Sequence, residues 1–161
     1  GYVYQIQKFH LIENIKILIK EANLNGYKII IITNQAGIGK NLYTNDDFKK
    51  LTKYMKDLFI KDGCYIDAVY HCPYHPTQGV GKYLKNSYDR KPNPGMLLKA
   101  QKDFNLDMSK SILIGDKISD IEAGNNAFIN TNILFSQNKN ENKKSHNFIE
   151  INCLTEALDF L

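Results

Sequence analysis

Cysteine is scarce in this chain. Only Cys64, Cys72 and Cys153 occur, an odd number at wide spacings with no Cys-x-x-Cys pair. That speaks against a disulfide framework and fits a reducing cytoplasm. No apolar run approaches the roughly 20 residues that cross a bilayer, so no membrane partner is expected. No secretory leader and no internal repeat is visible. Gly37 and Gly39 resemble a phosphate loop only loosely, and the absence of Gly-x-x-x-x-Gly-Lys-Ser/Thr excludes a P-loop nucleotide site. Charge of one sign is not in large excess: 21 Lys and Arg against 17 Asp and Glu leave +4. The lysines are scattered over polar helix faces, which reads as a solvated surface and not as a nucleic-acid footprint. The mild positive balance still favours encounter with an anionic substrate.

What is present is ordinary for one soluble globular domain spanning residues 1–161, with 43% hydrophobic and 24% charged residues. Such a chain buries about two thirds of its unfolded surface without staples. Apolar residues over Phe9–Asn23 recur at helical spacing, and Asn25-Gly26 stops that helix. Tyr27–Thr33 holds the run Ile29-Ile30-Ile31-Ile32, the pattern of a buried parallel strand. A polar loop, Asn34–Gly39, follows. Thr44 with Asp47 three residues on makes a capping box for a helix to about Asp62. Ile66–Cys72 reads as a strand and Pro73–Pro92 as a long irregular stretch. Asn93 is the expected N-cap, with Pro94 opening a helix through Phe104. Ser111–Gly115 is a strand, and Ser119 to Glu122 a capping box for a short helix ending near Asn125-Asn126. Thr131–Phe135 is a strand, 137–145 a loop or mobile segment rich in Asn and Lys, and Leu154–Leu161 a small closing helix. Strands alternating with helices imply a doubly wound, Rossmann-like α/β fold: a parallel sheet with helices on both faces and no large cap domain.

In such sheets ligands bind outside the carboxyl ends of the strands. Three polar clusters fall there: the loop after Thr33, the loop after Cys72, and Asp116 after Gly115. One site could collect them. Asp116 directly follows a buried strand and suits Mg²⁺, which takes oxygen ligands and keeps several waters; the bland alternative is a turn aspartate. Asp120, placed at the first position of a helix, interacts well with the helix dipole whatever its function, and could lean on the metal's water shell. Thr33, Asn34 and Gln35 offer a hydroxyl and two amides that could cradle phosphate oxygens, though taken by themselves they read first as a polar turn. Arg90-Lys91-Pro92 sets two cations beside a helix N-terminus, where anions are favoured. Together these parts meet the needs of phosphoryl transfer, except that no attacking carboxylate is found.

Thr33-Asn34-Gln35-Ala36-Gly37-Ile38, Arg90-Lys91-Pro92-Asn93-Pro94-Gly95-Met96-Leu97 and Gly115-Asp116-Lys117 resemble, in order and spacing, the motifs of the haloacid dehalogenase superfamily. Over nearly its whole length the chain is similar to the D-glycero-D-manno-heptose-1,7-bisphosphate 7-phosphatase family, and Gly1-Tyr2-Val3 looks like the segment just after that family's nucleophile motif. The resemblance implies a Mg²⁺-dependent phosphoric monoester hydrolase of carbohydrate metabolism, supplying lipopolysaccharide or capsule precursors, cytoplasmic and monomeric, with a phosphorylated sugar as its substrate. By that resemblance Thr33 would hydrogen-bond the transferring phosphoryl group, Lys91 would stabilise it, and Asp116 would ligate Mg²⁺. Gly1, Tyr2, Asn34, Gln35, Ala36, Arg90 and Lys117 would line the substrate pocket. The family's Asp-x-Asp motif supplies the nucleophile through an aspartyl-phosphate, and is expected upstream of Gly1 on a central strand. Without that strand, the 161 residues alone should be poorly stable.

The family often carries a Cys₃His zinc site. Here Cys72-Pro73-Tyr74-His75-Pro76 and Ser87-Tyr88-Asp89 retain Cys72 alone of the four ligands, so no structural zinc is expected. Tyr74, Tyr83 and Tyr88 would then hold the long loop, and His71 and His75 would be structural. Two rivals remain: a histidinol-phosphate phosphatase, with the same chemistry on another monoester, and a non-catalytic phosphate-binding domain that has lost its nucleophile.

Overall fold

A computed structural model describes residues 1–136 and 147–161; the loop expected at 137–145 lies outside the described residues. The chain forms two compact units, Gly1–Ser87 and Tyr88–Leu161.

In the first unit, helix α1 (Ile15–Leu24) buries Leu18, Ile19 and Ala22. It starts six residues later than the apolar periodicity suggests, because Asn14 takes a left-handed conformation (φ 66°) and interrupts the helix there. Leu11 still packs against the core, whereas Ile12 is exposed. Gly26, at φ +81°, turns the chain out of the helix. Strand β1 (Ile30–Asn34) follows, then a single helical turn α2 (Ala36–Gly39) where the sequence suggests only a loop. Helix α3 (Asn45–Lys61) opens on the expected capping box: Asp47 N–H donates to Thr44 Oγ1 at 3.1 Å and Thr44 N–H to Asp47 Oδ2 at 2.8 Å. Its apolar face buries Phe48, Leu51 and Phe59. Phe59 joins Ile19 and Cys64 in a core that Leu11, Ile15, Ile29, Met55 and Ile66 complete. Strand β2 (Ala68–Cys72) lies parallel to β1, with Ile30 opposite Ala68 and Asn34 opposite Cys72. Asp67 clamps the start of the pair, accepting from Ile29 N–H at 2.7 Å.

The loop after β2 is held partly as expected. Tyr74 and Tyr83 pack at 5.9 Å between ring centroids, and Tyr83 also leans on the cluster of Ile38, Tyr43 and Phe48. His75 Nδ1 accepts from the N–H groups of Thr77 (3.2 Å) and Gln78 (3.0 Å), so this imidazole organises its own loop. His71 packs against Phe48 with its Nε2 3.2 Å from Asn45 Oδ1. Tyr88 differs from expectation: its side chain is exposed, with no aromatic neighbour among the described residues.

In the second unit, helix α4 (Gly95–Phe104) begins one residue later than Asn93 would set it, with Pro94 as the N-cap. Gly95 is forced there by packing, since a Cβ would lie 2.5 Å from the Tyr88 carbonyl oxygen, which accepts from Gly95 N–H. Strand β3 (Ile112–Gly115), helix α5 (Ile118–Asn126), strand β4 (Thr131–Phe135) and strand β5 (Ile149–Ile151) complete the unit as a parallel three-stranded sheet in the order β3-β4-β5. Ile121, Ala123, Ile133 and Leu134 are almost wholly buried. The short strand β5 was not foreseen; three residues, Ile-Glu-Ile, carry too little periodicity to declare one. The closing segment is a 3₁₀ helix, Leu154–Phe160.

Candidate active site

In the first unit, the expected residues gather where β1 ends. Thr33 is half-buried near the carboxyl end of the strand, and Asn34 is its last residue. Gln35 is pinned by its backbone, N–H to the Cys72 carbonyl at 2.8 Å, which ties the loops after β1 and β2 together. Its side chain turns inward. Nε2 donates to Thr33 Oγ1 at 2.9 Å, and Oε1 accepts from the Tyr43 hydroxyl. Ala36 is buried, so it offers the site backbone and not side chain. Tyr43 was not singled out in the sequence. It is buried, stacked on Tyr4 at 5.1 Å and tilted against Tyr2 at 6.1 Å. Burial, with a smaller contribution from Tyr2, pushes its pKa up to about 12. Tyr2 is itself 43% exposed and accepts from Lys40 Nζ at 3.0 Å, so the N-terminal segment does reach the loop after β1. Gly1 is exposed with nothing close to it.

In the second unit, the candidate residues are arranged around Asp120. Lys91 Nζ donates to Asp120 Oδ1 at 2.6 Å, and the side chains of the pair are only 14% and 8% exposed. Oδ2 accepts from the backbone N–H groups of Asp116 (3.1 Å) and Lys117 (3.0 Å). Asp120 therefore stands at the third helical position, where it caps α5, and the expected box from Ser119 to Glu122 is not what closes this terminus. Gly115 makes the arrangement possible: a Cβ there would lie 2.3 Å from Asp120 Cβ. Asp116 and Lys117 are exposed at the end of β3, and no described side chain bonds the Asp116 carboxylate. Arg90 is half-buried beside Lys91, whose peptide bond to Pro92 is cis. Pairing of Lys91 with Asp120 had no signal in the sequence, since 29 residues separate them.

Among the described residues no three His, Cys, Asp or Glu side chains cluster as a cation cage, and no helix is long and apolar enough to cross a membrane. Cys64 and Cys72 are buried free thiols, and Cys153 is half-buried.

The fold is that of the haloacid-dehalogenase-like phosphatases. A crystal structure from Mesorhizobium loti described as a HAD-like phosphatase superposes with a TM-score of 0.85 at 27% identity, covering 98% of this chain and 76% of that one. A D,D-heptose 1,7-bisphosphate phosphatase from B. bronchiseptica, solved with magnesium and phosphate, superposes at 0.84 with 18% identity over 98% and 87%, a likeness of fold alone. The family described as polynucleotide kinase 3 phosphatase matches residues 3–148. A curated D-glycero-alpha-D-manno-heptose-1,7-bisphosphate 7-phosphatase from Burkholderia mallei is 50% identical over 134 residues, 83% of this chain and 71% of the relative. One of the same name from Campylobacter jejuni is 42% identical over 159 residues, covering 99% and 86%. The chain belongs to the D-glycero-D-manno-heptose-1,7-bisphosphate 7-phosphatase family.

Proposed function

We propose that this chain removes the 7-phosphate of D-glycero-D-manno-heptose 1,7-bisphosphate in a Mg²⁺-dependent reaction passing through an aspartyl-phosphate. The observation that carries the reading is the contrast between two carboxylates four residues apart. Asp120 has both oxygens engaged, one by Lys91 and one by two backbone N–H groups. Asp116 is exposed at the carboxyl end of β3. Mg²⁺ binds through one or two carboxylates and keeps several waters, so Asp116 fits it and Asp120 does not. The metal would supply charge neutralisation at the phosphoryl oxygens. Asp120 holds the ammonium of Lys91, which serves as a point charge for phosphate. Thr33 donates its hydroxyl to a phosphoryl oxygen, and Arg90, Lys117, Asn34, Gln35, Ala36, Gly1 and Tyr2 belong to the substrate's surroundings. The aspartyl-phosphate would form on a carboxylate nucleophile of the kind the family's Asp-x-Asp motif supplies.

The names of the relatives support the substrate. Those at 50% and 42% identity are both named for the α anomer, whereas relatives from Pasteurella multocida and Yersinia pestis at 36% and 37% are named for the β anomer. We therefore favour the α-bisphosphate. Mg²⁺ is supported by the B. bronchiseptica phosphatase, which was solved with that ion and phosphate. A monomeric, cytoplasmic enzyme acting on one phosphorylated sugar completes the reading.

The test is phosphate release by the natural full-length chain from both anomers and from histidinol phosphate, with Mg²⁺ and with chelator. The α anomer should be the preferred substrate, and the chelator should stop release. Asp116→Ala should abolish turnover while moving the melting temperature by no more than about 2 °C, because the side chain is exposed. Inactivity on every sugar bisphosphate would refute the proposal. Turnover of histidinol phosphate alone would identify the sister activity, and phosphate binding without turnover a non-catalytic binder.

A further inference from the structure

We infer that Tyr43 is a positioning residue: its buried hydroxyl fixes the orientation of the Gln35 amide, and that amide in turn makes the Thr33 hydroxyl an outward hydrogen-bond donor. The inference rests on the phosphatase reading above and adds a residue to it.

The argument starts from donor and acceptor bookkeeping. A primary amide presents one acceptor and one donor face, and nothing in the side chain's own shape prefers one orientation over its flip. The Tyr43 hydroxyl breaks that symmetry by donating to Gln35 Oε1. Nε2 is then left facing Thr33 Oγ1 at 2.9 Å. With an N–H donated to it, Thr33 must direct its own proton elsewhere. Its internal acceptor is the Asn34 carbonyl at 3.4 Å, a weak bond that a phosphoryl oxygen would readily replace. If the amide flipped, Oε1 would accept from Thr33 and the hydroxyl would point inward, away from any phosphate.

Three further features keep the relay fixed. Gln35 cannot drift, because its N–H is held by the Cys72 carbonyl. The Tyr43 ring is stacked on Tyr4 with planes 10° apart. Gly37 leaves room for that ring, since a Cβ there would lie 2.1 Å from Tyr43 Cε1 and 2.8 Å from Cζ. The elevated pKa of Tyr43 keeps it a donor throughout the physiological range. A tyrosine in this place therefore does what a phenylalanine could not, although both would fill the same space.

The experiment is a double-mutant cycle in the natural full-length chain, measured as kcat and KM on heptose bisphosphate and as affinity for inorganic phosphate. Tyr43→Phe keeps the ring and removes the hydroxyl. It should lower kcat/KM about fivefold to tenfold, with the loss mainly in kcat. In a Thr33→Val background the same change should cost less than about twofold, because the group it acts through is gone. Gly37→Ala, which displaces the ring but keeps the hydroxyl, should reproduce the Tyr43→Phe loss. The side-chain NH₂ signals of Gln35 in a ¹⁵N correlation spectrum should shift in Tyr43→Phe, a response that general loosening of the core would not confine to one amide. Additive losses in the cycle, or a Gln35 signal that does not move, would overturn the inference even if turnover is robust. A parent chain with neither turnover nor phosphate binding would instead refute the phosphatase reading, and this inference with it.

Discussion

Replacing Asp120 by alanine should be among the most damaging single changes in the second unit. The carboxylate receives three hydrogen bonds, from Lys91 Nζ at 2.6 Å and from two backbone N–H groups at 3.1 and 3.0 Å. Breaking a buried ion pair by deleting one partner costs about 3–5 kcal/mol, chiefly because the other charge stays desolvated. Here the ammonium keeps a little exposure, and Asp116 and Lys117 are exposed, so water can reach their N–H groups. That points to the lower end, about 3 kcal/mol. For a chain of this size the loss corresponds to a fall in melting temperature of about 6–12 °C. Lys91→Met should do less harm, because Asp120 retains its two backbone donors. Calorimetry of the natural full-length chain at neutral pH measures both variants. If Asp120→Ala melts within about 2 °C of the parent, or if Lys91→Met proves the worse of the two, the reasoning is wrong.

The capping carboxylate of α3 predicts an acid response. The Thr44 backbone N–H, then its hydroxyl, hold the Asp47 pKa below its usual 3.8. A depressed folded-state value means that the stability is present above about pH 4 and lost as pH falls through the folded value. Urea midpoints of the parent and Asp47→Asn should therefore differ at neutral pH, and the gap should close as pH falls below the ordinary carboxylate range; a constant gap would contradict this. Gly39→Ala should destabilise by about 1–3 kcal/mol, because the new Cβ would lie 2.3 Å from the Pro73 carbonyl oxygen, and backbone cannot retreat as a flexible side chain does. Urea denaturation checks that value, and a neutral result would mean the loop after β2 is looser than its hydrogen bonds imply. A zinc-selective chelator, with Mg²⁺ kept in excess, should leave the melting temperature unchanged, since Tyr74, Ser87 and Asp89 stand where the resemblance implies zinc ligands; a drop of several degrees would reveal a structural metal in the loop.

What the sequence disclosed, and what it did not, divides along the range of the interactions. Local signals were legible. Thr44 and Asp47 are three residues apart and form the expected box. Ile30-Ile31-Ile32 is strand, and Gly26 and Gly63 end their helices at φ +81° and +70°. Boundaries failed where a single residue's conformation prevailed over periodicity, as at Asn14, whose left-handed backbone delays α1. At α5 Asp120 is a first-turn acid, at the third helical position and not the first, and its Oδ2 accepts from the Asp116 and Lys117 N–H groups in place of the expected box from Ser119 to Glu122.

The same distinction explains the site. Residue types at strand ends were enough to nominate Thr33, Gln35, Lys91 and Asp116, because phosphoryl chemistry calls for a hydroxyl, an amide, a cation and a carboxylate. They could not tell which polar groups would be used up internally. In Gly-Asp-Lys-Ile-Ser-Asp the strand end marks Asp116 as a ligand and the helix start marks Asp120 as a dipole acid, but neither signal reveals that the absent Cβ of Gly115 lets Asp120 fold back onto the backbone and leaves Asp116 in solvent. Gln35 looked like a ligand for phosphate; the hydroxyl of Tyr43, eight residues on and brought close by the absent Cβ of Gly37, gives its amide a different partner. In each case a glycine decides which polar side chain turns inward to organise the site and which remains available to act.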